Sequence, residues 1–302
     1  MKFNYFISTT CFDKNSPEDN CSFKKFKKYG IEFSGGKFMD SAAITDTINR
    51  FYVNNRKKIL IHNYFPPAEN DFVLNLASGD DKIILQCFEL IEKAVRLCVK
   101  YGIPYYSLHP GFLYDALPKS TGYFEFDRKT RLSYGKSLEN LILNFKSAHE
   151  IAKRHGVKLA VENLFENPSI LRTKKRIRSS LNCTFEEMDR ALSGLPENTG
   201  LLLDLGHLNM SSKYFGFDKV NFLERIIAKY GSRIFELHIS SNNGDFDQHL
   251  APETDDWQLK ALDLFKSCPG ADGTGLNITL EARRLPESSL LKTMNLLENF
   301  NK

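Results

Sequence analysis

The sequence predicts an α/β protein built as a single (β/α)8 barrel, and three observations carry that expectation. Short β-like apolar runs recur with regular spacing, most of the segments between them have helical periodicity, and ionisable residues collect where the runs end. In order, the runs are KFNYFIS near residue 2, GIEFS near 30, KILIHNYF near 58, PYYSLHP near 104, VKLAVENLF near 157, GLLLDLGH near 200, RIFELHIS near 233 and NITLEAR near 277. In DKIILQCFELIEKAVRLCVKYG, residues Ile84, Phe88, Ile91, Val95 and Cys98 recur every three or four positions, and Gly102 stands where a helix would stop. SYGKSLENLILNFKSAHEIAKRHG repeats the pattern, with Ser133 or Ser137 as the cap and Gly156 as the terminator. The Phe and Leu pattern of FEFDRKTRLSYGKSLENLILNF reads as mostly core.

The main competitor is a doubly wound open sheet, which usually carries a glycine fingerprint after its first strand. Here the first run continues into STTCFDKNSPED without such glycines, so the barrel is favoured. No linker divides the chain, which is expected to form one domain over residues 1–302 with a basic loop, 168–183, inserted after the fifth strand.

Composition narrows the class. At 302 residues, 42% hydrophobic and 26% charged, the chain can bury a full core. A net charge of +4 suits anionic substrates but is too small to imply nucleic-acid binding by itself. No apolar run approaches the roughly 20 residues of a membrane span, and MKFNYFIST lacks the pattern of a signal peptide. The six cysteines are scattered without a Cys-x-x-Cys pair, and Cys87 and Cys98 look like small core residues. A reduced cytoplasmic protein is expected.

In a barrel of this kind the active site forms at the C-terminal ends of the strands. The third strand ends in His62, the fourth in His109 and the fifth in Glu162. The sixth carries Asp204, with His207 three residues on; the seventh ends in His238, with Asp247 and His249 in the loop beyond; the eighth ends in Glu281. Five of the seven histidines fall in this set, and the other two, His149 and His155, are expected on a helix. Each residue alone has an ordinary explanation, as a helix cap, an Asx turn or a salt-bridged barrel residue. Nine such residues at six consecutive strand ends are better explained as ligands of divalent metal. Mixed carboxylate and imidazole donors suit zinc, manganese, cobalt or iron better than calcium, and a set this large has room for one to three ions.

At these residues the chain resembles the xylose isomerase-like TIM-barrel superfamily, which joins sugar isomerases and epimerases with endonuclease IV. The likeness runs from IEFSGG to ITLEAR. It implies two ligand patterns. The epimerase pattern maps to Glu162, Asp204, His238 and Glu281, which would hold one divalent ion while the two glutamates move protons. The endonuclease IV pattern maps to all nine residues and three zinc ions. NLASGDD, 75–81, and LHPG, 108–111, are similar to that second branch. Its DNA-gripping loops are not matched, however. EFSGGKFMDSAA lacks the Arg- and Trp-bearing motif, NYFPPAENDFVLNL is longer than expected, and ENLFENP replaces the Glu-Asn-Thr-Ala-Gly run.

The resemblance implies a metal-dependent sugar or sugar-phosphate isomerase or epimerase, with Glu162 and Glu281 passing a carbon-bound proton through a metal-bound enediolate. The alternative is a multinuclear zinc phosphoester or phosphodiester hydrolase like endonuclease IV. A barrel that binds metal or sugar without turnover is the third reading. Candidate substrate contacts are Tyr64, Arg172 and Arg283, with Arg283 or the basic stretch RTKKRIR suited to a phosphate. That stretch has the alternative reading of a plain solvated loop. Trp257 is expected to be a packing anchor. The expected partner is a small sugar or sugar phosphate; nucleic acid is less favoured, no membrane partner is expected, and pairing into a homodimer is common among barrels of this type.

Overall fold

A computed structural model describes residues 3–12, 25–36, 39–54, 58–70, 72–119, 124–166 and 178–299. Arg172, Cys21 and most of the basic stretch 168–183 lie outside the described residues. Among the described residues ten strands form: β1 (Phe3–Ser8), β2 (Gly30–Ser34), β3 (Ile59–His62), β4 (Tyr105–Leu108), β5 (Ala116–Pro118), β6 (Phe124–Phe126), β7 (Lys158–Glu162), β8 (Gly200–Asp204), β9 (Ile234–Ile239) and β10 (Leu276–Leu280). All but β5 and β6 pair in parallel and close into a barrel in the order β1-β10-β9-β8-β7-β4-β3-β2. These are the eight apolar runs of the sequence. They read as near-continuous hydrophobic stretches because a barrel strand is covered on both faces; every residue of β8 and β9 is buried.

The α-helices are α1 (Ser41–Asn54), α2 (Asp81–Tyr101), α3 (Tyr134–Lys153), α4 (Phe185–Gly194), α5 (Leu205–Phe215), α6 (Lys219–Tyr230), α7 (Trp257–Ala261) and α8 (Glu287–Asn299). They do not alternate one for one with the strands. Among the described residues no α-helix joins β1 to β2, while both α5 and α6 stand between β8 and β9.

Local chemistry sets the helix ends. The Asp80 carboxylate accepts from the Lys82 N–H to start α2, and Gly102, at φ 67°, stops it. The buried stripe of α2 runs through Cys87, Leu90, Ile91, Ala94, Val95 and Cys98, a face rotated slightly from the expected one, which leaves Ile84 and Phe88 half-buried. Ser133, not Ser137, caps α3, and Ser137 is buried inside that helix. His149 is helical, but His155 lies in the turn after α3.

A second difference from the sequence reading lies in FEFDRK. Phe124–Phe126 is a strand, paired antiparallel with Ala116–Pro118, and its rings pack on Phe112 and Tyr114. Three-residue strands are too short to leave a period-two pattern. Trp257 is partly buried at the start of α7, with the Lys219 ammonium 4.3 Å from its ring centre, as a packing residue would be.

The motifs NLASGDD and LHPG meet at one side chain. Buried Asn75 accepts through Oδ1 from the Phe112 N–H at 2.9 Å and the Ala77 N–H at 3.1 Å, and donates through Nδ2 to the Tyr114 carbonyl at 3.1 Å. This staple fixes the loop that leaves β4 and carries His109. Gly111, at φ 126°, is required beside it, because a Cβ there would stand 2.4 Å from Asn75 Oδ1. Gly111→Ala is therefore expected to cost about 1–3 kcal/mol, read as a lower urea midpoint with an unchanged slope.

Candidate metal centre

All nine strand-end residues are described, and the barrel gathers them at the C-terminal ends of the strands. Glu162 is the focus. Its Oε2 lies 3.4 Å from His62 Nε2 and 3.3 Å from His109 Nε2, and its Oε1 lies 3.0 Å from His207 Nδ1. His62 and His238 rings are 4.9 Å apart, and His62 and His109 rings 5.7 Å apart.

Partners outside the cluster set which ring nitrogen each imidazole presents. His62 Nδ1 is hydrogen-bonded to Ser107 Oγ at 3.1 Å, which leaves Nε2 towards Glu162. His207 donates Nδ1–H to the Asn163 carbonyl at 2.9 Å, and His249 donates Nδ1–H to the Glu281 carbonyl at 2.7 Å. His249 therefore turns Nε2 to Asp247, while His207 brings Nδ1 to Glu162 as well and leaves Nε2 3.8 Å from Asp204 Oδ2. His249 Nε2 lies 2.6 Å from Asp247 Oδ2, a contact that is attractive only with a second proton on the ring or a cation in its place.

The local sequence explains the placement of Asp204. It ends β8 and caps α5, its Oδ1 accepting from the His207 N–H at 2.7 Å, so only Oδ2 remains for the site. Gly206 follows because a Cβ there would meet Ser240 Oγ at 2.6 Å. Asn163 staples β7 to β8, accepting from the Asp204 N–H at 2.8 Å and donating to its carbonyl at 3.0 Å.

Among the described residues several buried atoms here have no hydrogen-bond partner: both Glu162 oxygens, Asp204 Oδ2, Asp247 Oδ1, Glu32 Oε1 and His109 Nδ1. An orphaned buried acceptor costs about 1–3 kcal/mol, and more when charged. Such a group of carboxylate oxygens fits a cation. Among the described residues three sets bring one donor atom per residue within 4.8 Å of one another: Glu32, His62 and His238; His62, His109 and Glu162; and Glu162, Asp204 and His238. The two contacts of His62 and His109 with Glu162 also match the edge of about 3.3 Å expected between donors around a tetrahedral zinc. His207, Asp247, His249 and Glu281 stand in none of the three sets. Glu281 is nonetheless 3.1 Å from His238 Nδ1.

Electrostatics keep this cluster charged. Burial pushes Glu162 up, but the imidazoles of His109, His207 and His62 outweigh it and hold the carboxyl well below its usual range. Burial likewise opposes ionisation of Glu281, which His238, His249 and His62 nevertheless hold low. Asp204 is raised to about 6, chiefly by burial. Burial lowers His62 to about 4. It opposes the charged forms of His207, His238 and His249 too, but carboxylates overcome it: Asp204 and Glu162 for His207, Glu32 and Glu281 for His238, and Asp247 for His249, which reaches about 9.

Of the expected substrate contacts, Tyr64 is half-buried with its ring 6.3 Å from that of His109, at the edge of the cluster. Arg283 is about half-exposed, its guanidinium 3.9 Å from Asp247 Oδ2, and its backbone N–H donates to the His249 carbonyl at 2.9 Å. The sequence reading missed four residues of the site. Glu32 and Glu236 are fully buried beside His238, the Phe165 ring lies tilted 4.6 Å from that of His207, and Asn163 orients the segments that carry Asp204 and His207. A glutamate inside an apolar strand was the available signal for the first two.

The family model for the xylose isomerase-like TIM barrel matches residues 24–281. The chain belongs to that family. Among solved structures it is similar to a D-tagatose 3-epimerase-like protein, with a TM-score of 0.73 at 18% identity over 99% of this chain and 97% of that one. D-psicose 3-epimerase from Clostridium cellulolyticum gives 0.60 at 14% identity over 98% and 95%. Endonuclease IV from Thermus thermophilus gives 0.58 at 14% over 99% and 98%. At such identities the likeness shows the fold alone. The uncharacterised protein MJ1614 of Methanocaldococcus jannaschii is 24% identical over 180 residues, 59% of this chain and 55% of that protein, so the chain spans about half the length of this curated relative. Among the described residues no helix is long and apolar enough to cross a membrane.

A metal ion held by these imidazoles would compete with their protons, which gives a pH signature. His249, raised from 6.5 to about 9, stabilises the metal-free fold fully below pH 6.5 and ceases to do so as pH rises through 9. An ion that takes the place of its proton gains as that proton leaves. The rise in Tm produced by excess cobalt over chelator-stripped protein is expected to grow across that window. Differential scanning fluorimetry at successive pH values checks it; a rise that shrinks with pH contradicts the competition.

Proposed function

We propose that the protein is a divalent-metal-dependent isomerase or epimerase of a sugar or sugar phosphate. The observation that carries this reading is the pair Glu162 and Glu281. Both are buried, both are held as carboxylates, and they stand on β7 and just beyond β10, three strands apart around the barrel. Two buried glutamates at the strand ends suit epimerisation: one carboxylate takes a proton from one face of a carbon, and the other, once it has gained a proton from solvent, gives one to the opposite face. Zinc or manganese are the ions best suited to the donors, held by Glu162, Asp204, His238 and Glu281. When bound, such an ion supplies Lewis acidity towards a carbonyl and its neighbouring hydroxyl.

The chain's own residues supply the rest. Glu162 and Glu281 take and return the proton. Phe165 and Tyr64 place apolar rings beside His207 and His109. Arg283, half-exposed at the rim, is placed to meet a phosphate or a terminal hydroxyl. The D-tagatose 3-epimerase-like protein and D-psicose 3-epimerase among the structural neighbours agree with this chemistry. A localisation in the cytoplasm, and a single domain over the whole chain, belong to the same reading.

A second reading is a multinuclear zinc phosphoester hydrolase. Asp247 and His249 favour it, since they form a close pair outside the three donor sets and Asp247 keeps an orphaned oxygen. Metal content separates the two. Elemental mass spectrometry on protein purified without added metal or chelator is expected to give about one ion per chain, whereas about three zinc ions would favour hydrolysis.

Activity is tested on a panel of ketoses and their phosphates in deuterated water, with NMR following epimer formation and deuterium uptake at carbon. Glu162→Gln and Glu281→Gln are each expected to lower the rate by about 10²–10⁴-fold. Wild-type protein loaded with metal that exchanges no carbon-bound proton on any of the panel contradicts the proposal.

A further inference from the structure

His238 has a hydrogen-bonded carboxylate at each ring nitrogen. Nδ1 lies 3.1 Å from Glu281 Oε2 and Nε2 lies 3.0 Å from Glu32 Oε2. An imidazole that binds a metal through one nitrogen keeps its proton on the other, so the partner of the second nitrogen decides which one ligates. The Glu281 side is the strand-end side. Glu32 lies the other way, in the middle of β2, in register with Ser8 on β1 and Leu60 on β3.

A second carboxylate is close enough to compete for Nε2–H. Glu236 precedes His238 by two residues on β9, and its Oε1 is 3.7 Å from Nε2. Its oxygens are already engaged, however. Thr279 donates its hydroxyl to Oε1 at 2.5 Å, Tyr105 donates to Oε2 at 3.0 Å, and the Tyr105 oxygen accepts from Asn277 Nδ2 at 2.8 Å. Among the described residues Glu32 makes no such hydroxyl contact, and its other oxygen, Oε1, has no hydrogen-bond partner. It is the acceptor with spare capacity.

We propose that Glu32 is a positioning residue: it accepts the Nε2–H of His238, fixes the tautomer that leaves Nδ1 bare beside Glu281, and strengthens that nitrogen as a metal donor. The inference rests on the metal reading above. It assigns a role to a carboxylate in the barrel interior that lies outside the nine strand-end residues. A competing role exists, since Glu32 also forms a donor set with His62 and His238 and could itself bind a deeper ion. Hydrogen-bond alignment at 3.0 Å favours the proton over the ion.

The test compares wild type, Glu32→Gln and Glu32→Met as full chains. Zinc affinity and stoichiometry are measured by competition with a chromophoric chelator, and the His238 ring nitrogens by ¹⁵N NMR on zinc-loaded, histidine-labelled protein. Glutamine keeps an acceptor without the charge, so about tenfold weaker binding is expected with stoichiometry unchanged and Nε2 still protonated. Methionine removes the acceptor, so about 100-fold weaker binding and a mixture of tautomers are expected. Should Glu32→Met fail to fold, Glu32→Gln decides alone. Unchanged affinity in Glu32→Gln overturns the proposal, as does the loss of one bound ion per chain with the remainder bound as tightly as before. Wild-type protein that binds no zinc sinks the metal centre and this inference together; failure confined to the variants leaves the metal centre standing.

Discussion

Desolvated charge governs this molecule. A carboxylate moved out of water is destabilised by several kcal/mol unless partners replace its hydration, and the barrel buries Glu32, Glu162, Asp204, Glu236 and Glu281 in its interior. Imidazoles are the compensating groups, and they are sited so that each carboxylate meets at least one. The rest of the architecture serves that layer. Parallel strands closed on themselves bring residues distant in sequence onto one rim, and the strand ends are held in place by side chains such as Asn163 and Asn75, whose amides bond main-chain groups of neighbouring segments.

The same layer explains why buried ionisable groups here differ so widely in acidity. Glu162 is surrounded by His109, His207 and His62 and stays ionised, whereas Asp204, with Glu281 and Glu162 nearby, is raised to about 6, chiefly by burial. Separation of acidities among neighbouring groups is a property of catalytic sites, though structural ion-pair networks produce it too. Glu166 is an instance of the latter. It accepts from the Ser179 and Ser180 N–H groups, the Ser179 hydroxyl and Arg178 Nε, and so ties the end of the Glu162 segment to the chain at residues 178–180.

Much of this could be read from the sequence because two independent regularities coincide in it. Apolar runs marked the strands, and histidines clustered at the ends of those runs, so the nine strand-end residues were recognisable before any coordinates. What escaped had a weaker trace. Glu32 in GIEFS and Glu236 in RIFELHIS are lone polar residues inside apolar strands, and only the closed barrel shows that they face the same interior as His238. The β5–β6 hairpin was hidden by its length and by aromatic residues that suit a helix as well as a strand. Asn163 works through its amide and its carbonyl at once, a dual role that no spacing rule marks.

The means by which each imidazole is oriented has a consequence for how the site can diverge among descendants. His207 and His249 are aimed by main-chain carbonyls, which no codon change removes. His62 and His238 are aimed by the side chains of Ser107 and Glu32, each one substitution away from loss. Inherited variation therefore reaches the two halves of the ring unequally: the half near Asp204 and Asp247 is buffered, and positions 107 and 32 are where drift would first turn an imidazole.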